Sequence, residues 1–208
     1  MIIILALLFF SPQDSFTRFT YCKESARGLY ESQCVSMNPQ GAGEARLKPR
    51  GDEEVKIAFD LSPSGRDRFL SLLGATKFLA DRAKYESNRK VADLGLKRLV
   101  LDMPAGRREA VYNFSTLKEV TELGTFFDAL INQETILADI DTALQFERLS
   151  IPKRLDQIEN ELKANRIADP QRLIPLLERI ENDPRLVNFA RTRAGRLKQQ
   201  LLALNLTR

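Results

Sequence analysis

Residues 96–114, LKRLVLDMPAGRREAVYNF, limit the possible folds of this chain more than any other stretch. Apolar and polar residues alternate on both sides of a turn at 104–107, so each arm has one apolar and one polar face. Gly106 allows the turn a positive φ. The pattern predicts a β-hairpin whose apolar face must be covered, and the flanking helices are the expected cover. That face carries Leu99, Leu101, Met103, Ala110, Tyr112 and Phe114.

Four earlier segments show the same alternation and extend the predicted hairpin into a sheet. They lie at 16–22, 29–37, 44–48 and 54–61, separated by short polar turns. Short connections between such strands are typical of an antiparallel meander. The residues expected on the apolar face include Leu29, Val35 and Met37 in the second segment and Val55, Ile57, Phe59 and Leu61 in the fourth.

The remaining segments place apolar residues at helical spacing behind residues that cap helices. They predict one helix after the fourth strand, a long helix running from the hairpin to about residue 148, and three shorter helices. The expected starts are Ser64 with Asp67, Ser115 or Thr116, Ser150 before Pro152, Asp169 before Pro170, and Asp183 before Pro184. The last helix is expected to bury Leu186, Val187, Phe189, Ala190, Ala194, Leu197 and Leu201.

These patterns together predict an α+β fold. An N-terminal antiparallel sheet, made of a meander plus a hairpin and covered by helices, is followed by an all-helical C-terminal bundle. The predicted organisation is a signal-peptide-like segment at 1–15, an α+β domain at 16–131 and a helical bundle at 132–208. A chain of 208 residues is long enough to bury a core in both units.

The first ten residues, MIIILALLFF, are all apolar. In a helix they would span about 15 Å, which is half of the hydrocarbon core of a bilayer. That length suits the apolar core of a signal peptide and not a transmembrane span, so we expect a secreted or periplasmic protein. No basic residue precedes the run and no A-x-A motif follows it. The alternative is a buried N-terminal strand.

The two cysteines, Cys22 and Cys34, fall in the first two predicted strands. If these strands pair antiparallel about the turn at 25–28, the cysteines come opposite each other. Opposed Cα atoms in such a pair lie about 4.5–5.5 Å apart, which allows a disulfide. An oxidising compartment would maintain it. We therefore predict this disulfide, and the alternative is a pair of reduced, buried thiols.

Positive charge is concentrated at the C-terminal end of the chain. The net charge is only +4, yet six basic residues and no acidic one follow from residue 185 onward. Such a helix face either contacts an anionic partner or is simply solvated. The candidate contact residues are Arg185, Arg191, Arg193, Arg196 and Lys198.

The absence of histidine excludes several kinds of site. A Ser-His-Asp triad, a Cys-His dyad and every zinc site that needs histidine are ruled out. The stretch at 41–43, Gly-Ala-Gly, resembles part of a phosphate-binding loop but lacks the following Lys-Ser/Thr. We therefore expect no cofactor, no bound metal and no enzymatic activity.

The leading hypothesis is an exported, non-enzymatic module of the cell envelope, either structural or binding an unknown protein partner. One alternative is a hydrolase that uses carboxylates alone, for which Asp81, Asp93 and Asp102 are the acids near element ends. The other alternative is a binder of nucleic acid or another anionic surface through the basic last helix. Nucleic acid is the less favoured partner, because only Phe189 supplies a stacking ring among these cations.

Overall fold

The computed structural model describes residues 16–25, 27–78, 84–89, 91–92 and 94–206. The segment at 1–15, for which the sequence predicts a signal peptide, lies outside the described residues. Asp81 and Asp93, two of the acids considered for a hydrolase, lie outside them as well.

Within the described residues, six strands form one antiparallel sheet with the order β4-β3-β2-β1-β5-β6. The first four strands form the predicted meander, and the last two form the predicted hairpin, with Gly106 at a φ of 135°. The hairpin joins the meander through pairing of β5 with β1. The strands are β1 (Arg18–Glu24), β2 (Tyr30–Met37), β3 (Ala42–Pro49), β4 (Val55–Asp60), β5 (Leu96–Met103) and β6 (Gly106–Tyr112).

Helices cover one face of this sheet and then continue into a bundle, which confirms the predicted α+β class. In the part of the chain that the structure describes, one helix follows β4 and four follow the hairpin. Short 3-10 turns at Arg148–Ser150 and Pro170–Arg172 precede the third and fourth helices. The helices are α1 (Pro63–Ala75), α2 (Lys118–Phe146), α3 (Ile151–Lys163), α4 (Leu173–Asn182) and α5 (Asn188–Leu206).

The buried apolar side chains form two clusters, which divide within α2 between Ile131 and Ile136. The first cluster fills the space between the sheet, α1 and the first part of α2. In it, the Phe127 ring stacks on Phe19 and Tyr21, with centroids 5.3 and 5.1 Å apart. The second cluster consists of leucine, isoleucine and alanine side chains of the bundle. The helix α2 contributes to both clusters and so connects the sheet to the bundle.

The predicted disulfide joins Cys22 on β1 to Cys34 on β2, which lie directly opposite each other. The alternating residues Phe19, Tyr21 and Val35 are fully buried beneath the helices. Since successive side chains of a strand point to opposite faces, the disulfide lies on the face of the sheet that faces away from the helices.

Two residues expected on the apolar face of the sheet are exposed. Leu29 is 86% exposed, because β2 begins at Tyr30 and its register with β3 shifts between Tyr30 and Ser32. Val55 is 48% exposed, because it begins β4, which is an edge strand. Alternation predicts the face of a residue but not whether that face is still covered at the end of a strand.

Three helix starts also differ from the predicted caps. The α1 helix is capped by Ser62 and not by Ser64, since the Ser62 Oγ accepts a hydrogen bond from the Gly65 amide at 3.1 Å. The α2 helix begins after Leu117, and no side chain caps it. The α5 helix begins at Asn188, because residues 184–186 form a turn after Asp183.

The two remaining predicted caps lie at helix starts without capping them. Ser150 is at the cap position of α3, and Asp169 is at the cap position of the 3-10 turn before α4. Neither side chain forms a capping hydrogen bond. The carboxylate of Asp169 instead accepts hydrogen bonds from Ser62.

Candidate functional site

The basic residues of α5 face acidic residues of their own chain. The Nη2 atoms of Arg193 and Arg196 lie 2.7 and 2.9 Å from Glu159 Oε2 on α3. The Nζ atom of Lys198 lies 2.6 Å from Glu181 Oε2 on α4. These ion pairs connect α5 to both neighbouring helices of the bundle.

The other two candidate cations have partners as well. Arg185 places Nε and Nη2 2.8 Å from the two carboxylate oxygens of Asp183. Arg191 Nε donates a hydrogen bond to the Glu181 carbonyl oxygen at 3.0 Å. All five residues proposed for an anionic partner are therefore engaged within the chain.

The charges around Glu159 shift its proton affinity strongly. Hydrogen bonds from Lys163 and then Arg193 lower the pKa of Glu159 to about 2. The same contact with Glu159 raises the pKa of Arg193. The carboxylate is thus ionised throughout the physiological range, and its ion pairs hold α3 against α5.

One end of the bundle exposes four large apolar side chains. Phe146 ends α2 and is 78% exposed, and Leu149 follows it in the connection to α3 and is 88% exposed. Val187 and Phe189 lie at the start of α5 and are 47% and 64% exposed. We call these four residues the apolar end of the bundle.

The helix alignment puts both halves of the apolar end at one end of the bundle. Arg193 pairs with Asp156 and Glu159, which aligns α5 with α3, and Arg179 pairs with Asp141, which aligns α4 with α2. The connection from α2 to α3 and the connection from α4 to α5 therefore lie at the same end. The side chain and amide of Arg185 hold the pKa of Asp183 well below its usual range, and the charge of Arg148 contributes to this. Arg148 belongs to the first connection and Asp183 to the second.

A small cavity adjoins the apolar end. It has a volume of about 260 Å³ and is lined by Phe189, Thr192, Arg193 and Arg196. The Arg193 guanidinium lies 5.8 Å from the centre of the Phe189 ring, a cation–π arrangement. The Phe189 ring therefore has a cation on one side and is open to a partner on another.

The sequence did not identify the apolar end as a site. Val187 and Phe189 were expected in the buried stripe of the last helix, which is wrong. Val187 precedes α5, and Phe189 lies beside the stripe formed by Ala190, Ala194, Leu197 and Leu201. Phe146 was not singled out, although it lies two residues after the buried Leu144 and hence on nearly the opposite side of the helix. The position of Phe146 around the helix, relative to Leu144, could therefore have indicated that Phe146 is exposed.

A buried polar junction lies between the sheet and the bundle. The carboxylate oxygens of Asp169 accept hydrogen bonds from the Ser62 amide and hydroxyl, each at 2.7 Å. The amide of Asp169 donates to Gln133 Oε1 at 2.9 Å. Asp169 and Gln133 are both 0% exposed. These bonds connect the start of α1, the middle of α2 and the start of the turn before α4.

A second acid, Glu134, is buried beside this junction. Burial raises the pKa of Glu134, and its hydrogen bonds with Arg172 oppose the shift. Arg172 donates from Nε and Nη2 to the two carboxylate oxygens at 3.0 and 2.7 Å. Two buried acids near a domain boundary are what a carboxylate hydrolase would need. However, every carboxylate oxygen of Glu134 and Asp169 already has a donor from the chain, so the junction acts as a connection between the two units.

The third acid considered for a hydrolase, Asp102, is half-exposed on β5 and lies 3.9 Å from Arg107 Nε. Among the described residues, no group of three or more His, Cys, Asp or Glu side chains could hold a metal ion. A search of the same part of the chain for a helix long and apolar enough to cross a membrane finds none.

The comparisons with known proteins add no assignment. The chain matches no protein-family model, and a search of curated proteins finds no similar sequence.

Proposed function

We propose that this chain is an exported, non-enzymatic module of the cell envelope that binds a protein partner through the apolar end of the bundle. The observation that carries the proposal is the exposure of Phe146, Leu149, Val187 and Phe189 at that one end. Clustered exposed apolar side chains are characteristic of interaction sites on folded proteins.

The disulfide supports the proposed location. Disulfides persist in secreted and periplasmic proteins and are rare in the reducing cytosol. Cys22 and Cys34 are half-buried on the outer face of the sheet, where reductants would have access to them. An oxidising compartment is thus the natural place for this chain, and the apolar run at the N-terminus would direct it there.

The pairing of the α5 cations supports a protein partner over nucleic acid. Binding to nucleic acid depends on cations that can neutralise phosphates. Arg193, Arg196 and Lys198 are already paired with Glu159 and Glu181. An apolar contact rimmed by paired charges resembles the anatomy of protein–protein interfaces, where an apolar core is surrounded by a polar rim.

Site-specific photo-crosslinking tests this proposal. Leu149 is replaced by the photoreactive residue p-benzoylphenylalanine, and the variant is illuminated in the cells that naturally produce the protein. Leu29 is the matched control, because it is 86% exposed against 88% for Leu149 but lies at the turn between β1 and β2. Adducts are then identified by mass spectrometry of the envelope fraction.

The proposal predicts one dominant protein adduct at position 149 and none at position 29. It further predicts that adding Phe146→Asp, a change at a 78% exposed site, removes the adduct without unfolding the protein. Equal adducts at both positions, or an adduct at 149 that persists in the Phe146→Asp variant, would contradict it.

A further inference from the structure

A second cavity, separate from the apolar end, lies between the β5–β6 hairpin and the first part of α2. Its volume is about 170 Å³. Polar residues that line it are Lys97, Tyr112, Ser115, Thr121 and Asp128, while Gly124 leaves space in its wall. None of these residues belongs to the apolar end, so this cavity is a separate candidate site.

The hydroxyl of Tyr112 is the first sign of a ligand site. The Tyr112 side chain is only 4% exposed, and it lines the cavity. Gly124 lies across from it, since a Cβ atom built there would be 3.7 Å from the Tyr112 hydroxyl oxygen. The cavity thus offers this O–H group to whatever occupies it.

Lys97 provides positive charge to the same cavity. Its Nζ donates one hydrogen bond, to the Asn113 carbonyl oxygen at 2.9 Å, and lies 5.8 Å from the centre of the Tyr112 ring. An ammonium group has three donors, so two remain for a ligand. Burial, and then the charge of Lys23, lowers the pKa of Lys97. Burial disfavours the charged form of Lys97, and a negatively charged ligand beside it would favour that form again.

Asp128 provides negative charge on the α2 side of the cavity. Its Oδ1 accepts a hydrogen bond from Tyr21 at 3.2 Å, and its Oδ2 lies 3.5 Å from Lys23 Nζ. A carboxylate has about four acceptor positions, so capacity remains for a further donor. The cavity is thus lined by one cation and one anion, with a neutral donor beside the cation.

We propose that this cavity binds a small zwitterion of the size of a free amino acid. The carboxylate of the ligand would accept from Lys97 Nζ and the Tyr112 hydroxyl, and its ammonium group would donate to Asp128. A simple anion would pair with Lys97 but be repelled by the Asp128 carboxylate, whereas the ammonium group of a zwitterion would also pair with Asp128. The volume of about 170 Å³ suits a ligand of this size and is below the roughly 300–1,000 Å³ of pockets for drug-sized molecules.

Binding is tested with the oxidised protein by titration monitored through amide NMR shifts. The probes are glycine, L-alanine and L-leucine. L-alanine methyl ester, which lacks the carboxylate charge, and L-lactate, which lacks the ammonium group, are the paired negative probes. Concentrations reach about 20 mM, which covers dissociation constants from micromolar to millimolar. We expect saturable shifts around Lys97, Tyr112 and Gly124 with at least one amino acid, and none with the ester or lactate.

Two variants test whether the ligand binds in this cavity. Tyr112→Phe removes a hydroxyl group that lines the cavity, and Gly124→Ala narrows the cavity without a clash. Each is expected to weaken binding at least about tenfold, since a hydrogen bond to a charged group is lost or blocked. The matched controls are Tyr30→Phe and Gly74→Ala, which remove a tyrosine hydroxyl on β2 and a glycine in α1 and should leave binding unchanged.

Three results would overturn the assignment. The first is the absence of saturable shifts with all three amino acids. The second is equal binding of alanine, its ester and lactate. The third is binding that Tyr112→Phe and Gly124→Ala both leave unchanged, which would place the ligand elsewhere. None of these results depends on the crosslinking experiment at Leu149.

Discussion

The carboxylate of Asp169 accepts both the amide and the hydroxyl hydrogen bond of Ser62, a residue 107 positions earlier in the chain, each at 2.7 Å. Ser62 is also the residue that caps α1. Asp169 therefore fixes the start of the helix that covers the sheet, while it belongs to the segment that leads into α4. Its negative charge near the first turn of α1 is also favourable for the helix dipole.

Asp169→Ala should destabilise the protein by about 2–4 kcal/mol, because it removes a fully buried carboxylate and leaves the half-buried Ser62 donors without a partner. Urea unfolding followed by circular dichroism measures the change. Asp141→Ala is the matched control, since Asp141 pairs with Arg179 but both side chains are more than half exposed. The control should cost less than about 1 kcal/mol. Equal losses of unfolding free energy in the two variants would show that the buried junction contributes no more stability than an exposed ion pair.

Two glycines of α1 should respond oppositely to alanine. A Cβ atom on Gly65 would lie 2.5 Å from Asp169 Cγ, so Gly65→Ala has to displace this buried carboxylate. The cost should be about 1–3 kcal/mol. At Gly74 nothing lies within 4 Å of the new Cβ. Gly74→Ala should instead stabilise the helix by about 0.5–1 kcal/mol. Thermal unfolding of both variants checks the signs, and a gain of stability in Gly65→Ala contradicts the described packing.

Reduction of the disulfide should weaken the protein without unfolding it. The bond closes a short loop between residues 12 apart in sequence. In the chain-entropy account, closure of such a loop contributes about 2–3 kcal/mol. The core lies on the other face of the sheet and stays intact. The Cys22→Ser, Cys34→Ser double variant should therefore keep the native circular dichroism spectrum and lose about 2–3 kcal/mol in urea unfolding. Complete loss of structure on reduction is the result that this account forbids.

Glu159 should make stability depend on pH in the acid range. Its pKa falls from an ordinary 4.5 to about 2 in the folded protein. A lowered pKa means that the folded state binds the proton less tightly than the unfolded state. The contribution of Glu159 is therefore complete above about pH 4.5 and is lost as the pH falls towards about 2.

The Glu159→Gln variant tests this dependence. It should be less stable than the wild-type protein by about 1–2 kcal/mol at neutral pH, with the difference shrinking to near zero at about pH 2. Urea unfolding at a series of pH values measures both proteins. Asp156→Asn serves as control, because Asp156 pairs with Arg193 but is 51% exposed. A difference between Glu159→Gln and wild type that is constant with pH would contradict the ion-pair account.

Local patterns were sufficient to predict much of the fold. The hairpin at 96–114 was predictable because alternation and a glycine turn are properties of neighbouring residues. The faces assigned there hold, since Leu99 and Leu101 are fully buried and Tyr112 is nearly so. The disulfide followed from the same alternation, because pairing about a short turn brings Cys22 opposite Cys34.

Features that depend on distant contacts could not be predicted in this way. Asp169 resembles a helix cap beside Pro170, but its carboxylate bonds to Ser62, which no local pattern indicates. The apolar end depends on where α2 stops and α5 starts, and the Asp-Pro pair at 183–184 places that start too early. Likewise, the sequence of α5 alone predicts a cationic surface, because the acidic residues of α3 and α4 that pair with it are distant in sequence.

The proposed function requires that this chain is exported and oxidised. The most direct test is the intact mass of the protein, produced with its N-terminal segment in a bacterial host and fractionated, with alkylation before and after reduction. We predict the periplasmic or secreted fraction to hold a chain that has lost about 15 residues, the usual size of a short signal peptide. Cys22 and Cys34 should resist alkylation until the disulfide is reduced. An uncleaved cytosolic chain, alkylated at both cysteines without reduction, would contradict the account.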